Sequence, residues 1–295
     1  MSKMKALIPN LLTAGNLVGG VLAIIFSLTG RLEWAPYCIF ISAFLDFFDG
    51  FAARLLKVQS EMGKQLDSLA DMVTFGVAPG VMVFMLLKIQ LSLPFSLPRL
   101  GFNAWSEKIM EIDLPVLDRI MSQELDFYIP AEVNMPLEYN LFTWVPLIAL
   151  IIPVFSMFRL AKFNLDTRQS NSFIGVPTPA NTLFFASIPL ILIQFSSATK
   201  SFDQWIFQLF LNPWFLIVSC IGMSILLVAE LPLFALKFKS FGFKGNEIRY
   251  IFLTLAVILL ATLWWLAIPL IIILYILLSL IQNLRLKTAA AKTSK

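Results

Sequence analysis

Runs of about twenty apolar residues, the length that crosses a bilayer as a helix, recur at roughly 8–28, 35–56, 64–88, 141–161, 178–198, 213–235, 248–265 and 267–285. A helix that is apolar all round must be buried or face lipid. With 59% hydrophobic and 14% charged residues, the chain has too little polar surface to wrap a soluble core of that size. The expected fold is an all-α polytopic membrane protein of about eight transmembrane helices (six to eight), in one domain over 1–285. The last two runs are separated only by Ala267, Ile268 and Pro269.

The basic residues orient these spans. With the N-terminus in the cytoplasm, sixteen of the 22 Lys and Arg residues fall on the inner side, which is the positive-inside bias, and both termini are then cytoplasmic. The net charge of +4 is therefore an orientation signal, and no nucleic-acid partner is expected. Lys3 and Lys5 precede an apolar run that Pro9, Asn10, Thr13 and Asn16 interrupt. No small-residue cleavage pattern follows, so the first span reads as retained. Cys38 and Cys220 both lie inside apolar runs, which gives no disulfide framework. Residues 89–140 read as an outer insertion of mixed apolar and acidic character, either interfacial helix or solvated loop. Residues 286–295 read as a disordered cytoplasmic tail.

Four carboxylates break this apolar text. The chain reads Asp46-x2-Asp49-Gly50-x2-Ala53-Arg54-x8-Gly63-x3-Asp67-x3-Asp71. Each acid at membrane depth costs about 2.5–3.5 kcal/mol on the lenient insertion scale, so four cost about 10 kcal/mol unless something neutralises them. Asp46, Asp49, Gly50 and Ala53 follow i, i+3, i+4, i+7 and share one face of the second span. Gly63, Asp67 and Asp71 share one face of the third. A short turn around 57–62 makes the two spans antiparallel neighbours whose acidic faces converge. Arg54 and Lys57 close the second span, which places the cluster near the cytoplasmic surface.

The cheapest neutraliser of four acceptor-only groups is a divalent cation, and hard oxygen donors suit Mg²⁺, Mn²⁺ or Ca²⁺ rather than zinc. With no histidine in the chain, acid–base work falls to Asp, Glu, Lys, Tyr or water. Gly50, Ala53 and Gly63 leave room for a ligand beside the acids, or serve helix packing. Arg54 can grip a phosphate with two donors, or snorkel to lipid headgroups. A buried charge network without chemistry is the bland alternative. Eight specified positions at roughly 7% each coincide by chance on the order of 10⁻⁹ of the time.

The pattern resembles the signature of the CDP-alcohol phosphatidyltransferases, and all eight positions match. The flanking text, Ile8-Pro9-Asn10-Leu11-Leu12-Thr13, Gly63 through Pro79, Arg159-Leu160-Ala161-Lys162-Phe163-Asn164 and Gly175-Val176-Pro177-Thr178-Pro179-Ala180, is similar to the membrane-type phosphatidylserine synthase branch. The likeness covers roughly 1–90 and 141–200, and relatives often carry Arg where Lys162 stands.

The resemblance implies transfer of a phosphatidyl group from CDP-diacylglycerol to L-serine, giving phosphatidylserine and CMP, at a multi-pass inner-membrane enzyme with its active site near the cytoplasmic face. Asp46, Asp49, Asp67 and Asp71 would hold Mg²⁺ or Mn²⁺, with Ca²⁺ as a further candidate, and Asp71 would also be the general base. Gly50, Ala53, Arg54 and Gly63 would line the cytidine diphosphate pocket, with Thr13 and Asn16 from the first span. Arg159, Lys162 and Arg168 would receive the serine carboxylate. Relatives also imply a homodimer. Two rival readings stay open: a sister enzyme using glycerol 3-phosphate or an inositol-type acceptor, and a cation or proton transporter. Transporters of the common types show duplicated halves, and no duplication is visible here.

Overall fold

The computed structural model describes residues 2–92, 144–165, 173–196, 200–234, 242 and 246–293. The architecture is helical, as the apolar windows require. In chain order the helices are α1 (Ser2–Leu28), α2 (Ala35–Leu55), α3 (Glu61–Asp71), α4 (Ala78–Ser92), α5 (Ile151–Leu165), α6 (Thr178–Phe195), α7 (Ser201–Leu211), α8 (Pro213–Val228), α9 (Glu247–Leu263) and α10 (Ala267–Thr293). Proline starts several of them: Pro36, Pro179 and Pro213 sit in the first turns of α2, α6 and α8. There a missing N–H costs nothing and the fixed φ suits the helix. The described residues also hold an antiparallel pair, Phe173–Ile174 with Pro232–Leu233. Arg168 and nearly all of the 89–140 insertion lie outside the described residues.

Among the described residues five stretches are long and apolar enough to cross a membrane, or six if the bent pair α7–α8 is one span. The last of the five, Glu247–Leu284, is not one straight helix. Phe252 and Tyr275 stand 5.5 Å apart, ring centre to ring centre, whereas 23 residues of straight helix would separate them by about 35 Å. The chain therefore folds back into an α9–α10 hairpin. Its turn is at Trp264–Leu266, where Trp264 takes φ +53°, and not at Ala267–Pro269. Pro269 is accommodated in the first turn of α10. Gln194 of α6 pins this turn, donating to the Leu263 carbonyl and accepting from the Trp265 amide. Each of the eight expected windows holds a helix. α10 continues to Thr293 through the residues expected to be disordered; Ala289, Ala290 and Ala291 are the strongest helix formers available.

α6 is the central helix. Phe184, Phe185, Ala186, Ile188, Leu190, Ile191 and Leu192 are all buried, and α6 packs against α2, α4, α7 and α10. The outer faces tell the opposite story. On α2, Ile41, Phe44, Phe47, Phe51 and Leu55 are exposed, an apolar stripe that is stable only against lipid or another apolar surface. Asp46 and Asp49 occupy the other side of the same helix.

α3 and α4 are joined by a π-helical turn, Met72–Val77. Such a turn carries more residues than an α-turn and marks functional segments more often than ordinary helix. Three contacts hold it open: Thr74 Oγ1 donates to the Asn16 carbonyl, Thr182 Oγ1 donates to the Phe75 carbonyl, and Gly76 lies against Ser156. Gly20 of α1 permits the first of these, because a Cβ there would stand 2.8 Å from Thr74 Cα.

Candidate active site

α2 ends in a left-handed cap. Val58 N–H donates to the Ala53 carbonyl while Lys57 takes φ +54°, the arrangement that closes a helix and reverses the chain. Ser60 then caps α3, accepting from Gly63 N–H at 3.0 Å. Five residues between the helices turn the carboxylate faces toward each other. α1 packs along both α2 and α3, so the site is a wedge between two helices with the first helix as its floor.

Within the wedge one oxygen each from Asp46, Asp49 and Asp67 lie within 4.8 Å of one another. Two oxygens on a single Mg²⁺ or Ca²⁺ at about 2.0–2.6 Å are separated by up to about 5 Å, so the three can share an ion. Asp67 Oδ1 is buried without a hydrogen-bond partner, and among the described residues no ion pair involves any of the four aspartates. An acidic cluster with an orphaned oxygen and no ion-paired partner among the described residues fits a hard divalent cation. Asp71 stands outside the three-oxygen group.

The floor addresses two of the acids directly. Thr13 Oγ1 lies 2.5 Å from Asp49 Oδ2 and 3.0 Å from the Pro9 carbonyl. Asn16 Nδ2 donates to Asp71 Oδ1 at 3.1 Å. Both α1 residues are buried. Each is hydrogen-bonded to one of the four carboxylates.

A cleft of about 530 Å³ opens beside the cluster, lined by Asn10, Thr13, Asp49, Gly50, Ala53, Arg54, Gly63, Lys64 and Asp67 together with Pro9 and the 58–61 turn. That volume suits a small-molecule ligand. Gly50, Ala53, Arg54 and Gly63 thus line one cleft. A Cβ built on Gly50 would find no atom within 4 Å, so packing within this chain does not call for glycine there. Lys64, Asn10 and Gln59 line the same cleft and were not foreseen. Asn10 and Lys64 had a signal, Asn10 within the Ile8–Thr13 text and Lys64 next to Gly63.

The remaining candidates sit on α5. Arg159 is buried, its Nε donating to the Val176 carbonyl at 3.3 Å and its guanidinium 5.4 Å over the Phe163 ring. Lys162 pairs with Glu230 at 3.3 Å. Neither lines the cleft. The end of α5 does reach α3: Asn164 Nδ2 donates to Ser68 Oγ at 2.8 Å, and Lys64 Nζ lies 3.4 Å from the Asn164 carbonyl.

The family profile described as CDP-alcohol phosphatidyltransferase matches residues 6–105. A CDP-diacylglycerol–serine O-phosphatidyltransferase of Bacillus subtilis (strain 168) is 30% identical over 240 residues, 81% of this chain and 94% of that protein. The chain belongs to the CDP-alcohol phosphatidyltransferase family. Proteins of the same description from Mycobacterium leprae and Helicobacter pylori (strain J99) are 27% and 28% identical over 236 and 176 residues. The chain spans 58% and 53% of those two. As a member of this family it is a transferase, and the wedge between α2 and α3 holds the family's acidic signature.

Proposed function

We propose that this chain transfers the phosphatidyl group of CDP-diacylglycerol to the hydroxyl of L-serine, forming phosphatidylserine and CMP. One observation carries the reading: seven of the eight signature positions, Asp46 through Asp67, belong to a three-carboxylate cluster or to the cleft beside it. The names of the relatives support serine as acceptor over glycerol 3-phosphate or an inositol-type alcohol.

Asp46, Asp49 and Asp67, together with Asp71, would hold Mg²⁺ or Mn²⁺, or Ca²⁺ by the same oxygen chemistry. Bound there, the cation supplies charge neutralisation at the phosphoryl oxygens and the leaving group. The protein's own groups do the rest. Gly50, Ala53, Arg54 and Gly63 receive the cytidine diphosphate, and the acyl chains stay in lipid. Asp71, oriented by Asn16, accepts the serine hydroxyl proton. The serine oxygen bonds to the phosphorus that carries the diacylglycerol, and the bond from that phosphorus to the CMP oxygen breaks. Thr13 orients Asp49. Of the acceptor-side candidates Arg159, Lys162 and Arg168, Arg159 carries the contact on α5 with the serine carboxylate. The reading places the enzyme in the inner membrane as a homodimer, with both termini and the cleft on the cytoplasmic side.

The test is release of labelled CMP by purified protein with Mn²⁺ or Mg²⁺, with and without L-serine, glycerol 3-phosphate or inositol. Serine-dependent release, absent with chelator and in Asp71→Asn, is the expected result. Release with glycerol 3-phosphate but not serine overturns the acceptor. No release with any alcohol overturns the reaction.

A further inference from the structure

Lys64 belongs to no position of the aspartate signature, yet it lines the same cleft as Arg54. The two are the cations of that lining, one at the end of α2 and the other in the first turn of α3. Asp49, Glu61 and Asp67 line the same cleft. A nucleoside diphosphate entering here places two phosphates among three acids. A cation at Asp49 and Asp67 offsets part of that repulsion, and Arg54 offers one fixed fork.

Lys64 is suited to the remaining contact. Its side chain is exposed, and its Nζ rests 3.4 Å from the Asn164 carbonyl, near the outer limit of a hydrogen bond. Little is lost when the amine leaves such a contact. A flexible four-carbon stem with three donors can swing from a neutral carbonyl to a phosphate, where a charge-assisted bond is stronger. Asn164 is itself fixed to α3 through Ser68, so the resting position keeps the amine at the cleft edge.

We propose that Lys64 is a second diphosphate-binding cation, closing on the donor nucleotide from α3 while Arg54 holds it from α2. This rests on CDP-diacylglycerol being the donor. The experiment compares full-length parent, Lys64→Gln and Lys64→Arg in detergent, with CMP release measured against each substrate in turn. Lys64→Gln is expected to raise the KM for CDP-diacylglycerol about tenfold, or about 1.4 kcal/mol. Lys64→Arg, which keeps the charge, should stay within about threefold, and the serine KM should stay within about twofold in both. Because the side chain is exposed, unchanged thermal unfolding is expected for both variants. A CDP-diacylglycerol KM within about twofold of the parent in Lys64→Gln, on the scale where tenfold is about 1.4 kcal/mol, overturns the proposal and leaves the enzymatic reading standing. A parent that releases no CMP with any alcohol brings down the reading itself, and the proposal with it.

Discussion

Asn16 donates from Nδ2 to Asp71 Oδ1 at 3.1 Å, joining the first helix to the end of the third across 55 positions of sequence. Its backbone carbonyl meanwhile accepts from Thr74 in the π-turn. One buried residue thus sets both the carboxylate and the backbone that follows it. If Asp71 is the base, its direction matters more than its affinity for either substrate. Asn16→Ala is expected to lower kcat by about 10²-fold, within the range a positioned acid–base group supplies. The KM values for CDP-diacylglycerol and serine should change by less than about threefold. A rise in the CDP-diacylglycerol KM with kcat preserved would instead make Asn16 a substrate contact.

Removing metal should expose the cost of the cluster. Asp46, Asp49 and Asp67 converge within 4.8 Å with no described counter-charge. In chelator, Asp67→Asn is therefore expected to melt higher than the parent by about 2–4 °C, or about 1 kcal/mol in a chain of roughly this size. With Mn²⁺ restored the order should reverse, because a ligand that binds only the folded state stabilises it and the variant has lost a donor. Activity should be absent in the variant throughout. Parent and variant melting alike in both conditions would show that the cluster holds no ion.

Much of this arrangement is legible in the text of the chain. Apolar runs of spanning length mark where helices lie, and i, i+3, i+4, i+7 spacing puts Asp46, Asp49, Gly50 and Ala53 on one face. What escapes is whatever depends on contacts distant in sequence. The π-turn after Asp71 is stabilised by Asn16, Thr182 and Ser156, none of which its own sequence names. The role of α1 as floor depends on Thr13 and Asn16 meeting acids 36 and 55 residues away. The last hairpin turns at Trp264, where Gln194 satisfies the backbone, although Pro269 is the more obvious breaker. Lys64 reads as one more positive-inside charge until the cleft is seen.

Two glycines should respond in opposite ways. A Cβ at Gly20 would stand 2.8 Å from Thr74 Cα, so backbone must move. Gly20→Ala is expected to destabilise the protein by about 1–3 kcal/mol, and to reduce kcat because the π-turn and Asp71 shift with it. Gly50 has open space around its would-be Cβ and lines the cleft. Gly50→Ala should leave the melting temperature within about 1 °C, a few tenths of a kcal/mol, and raise the KM for CDP-diacylglycerol. A loss of stability at Gly50 equal to that at Gly20 would assign both residues to packing.

Arg159 is the sharpest test of the acceptor side. Its charge is buried, with Nε on the Val176 carbonyl and its guanidinium over Phe163, so α5 and the loop before α6 already position it. Lys162, by contrast, is tied to Glu230 at an exposed pair, which contributes about 0–1 kcal/mol. If the serine carboxylate is received on α5, Arg159 should carry that contact and Lys162 should matter little. Arg159→Gln keeps a donor for Val176 while deleting the charge. It is expected to raise the serine KM by about tenfold or more, the scale of a lost charge-assisted bond. The CDP-diacylglycerol KM should stay within about threefold of the parent. Lys162→Gln should change neither by more than about twofold, consistent with the small worth of an exposed pair. Equal increases in both KM values for Arg159→Gln, with a lowered melting temperature, would identify Arg159 as a structural cation that joins α5 to the 175–177 loop.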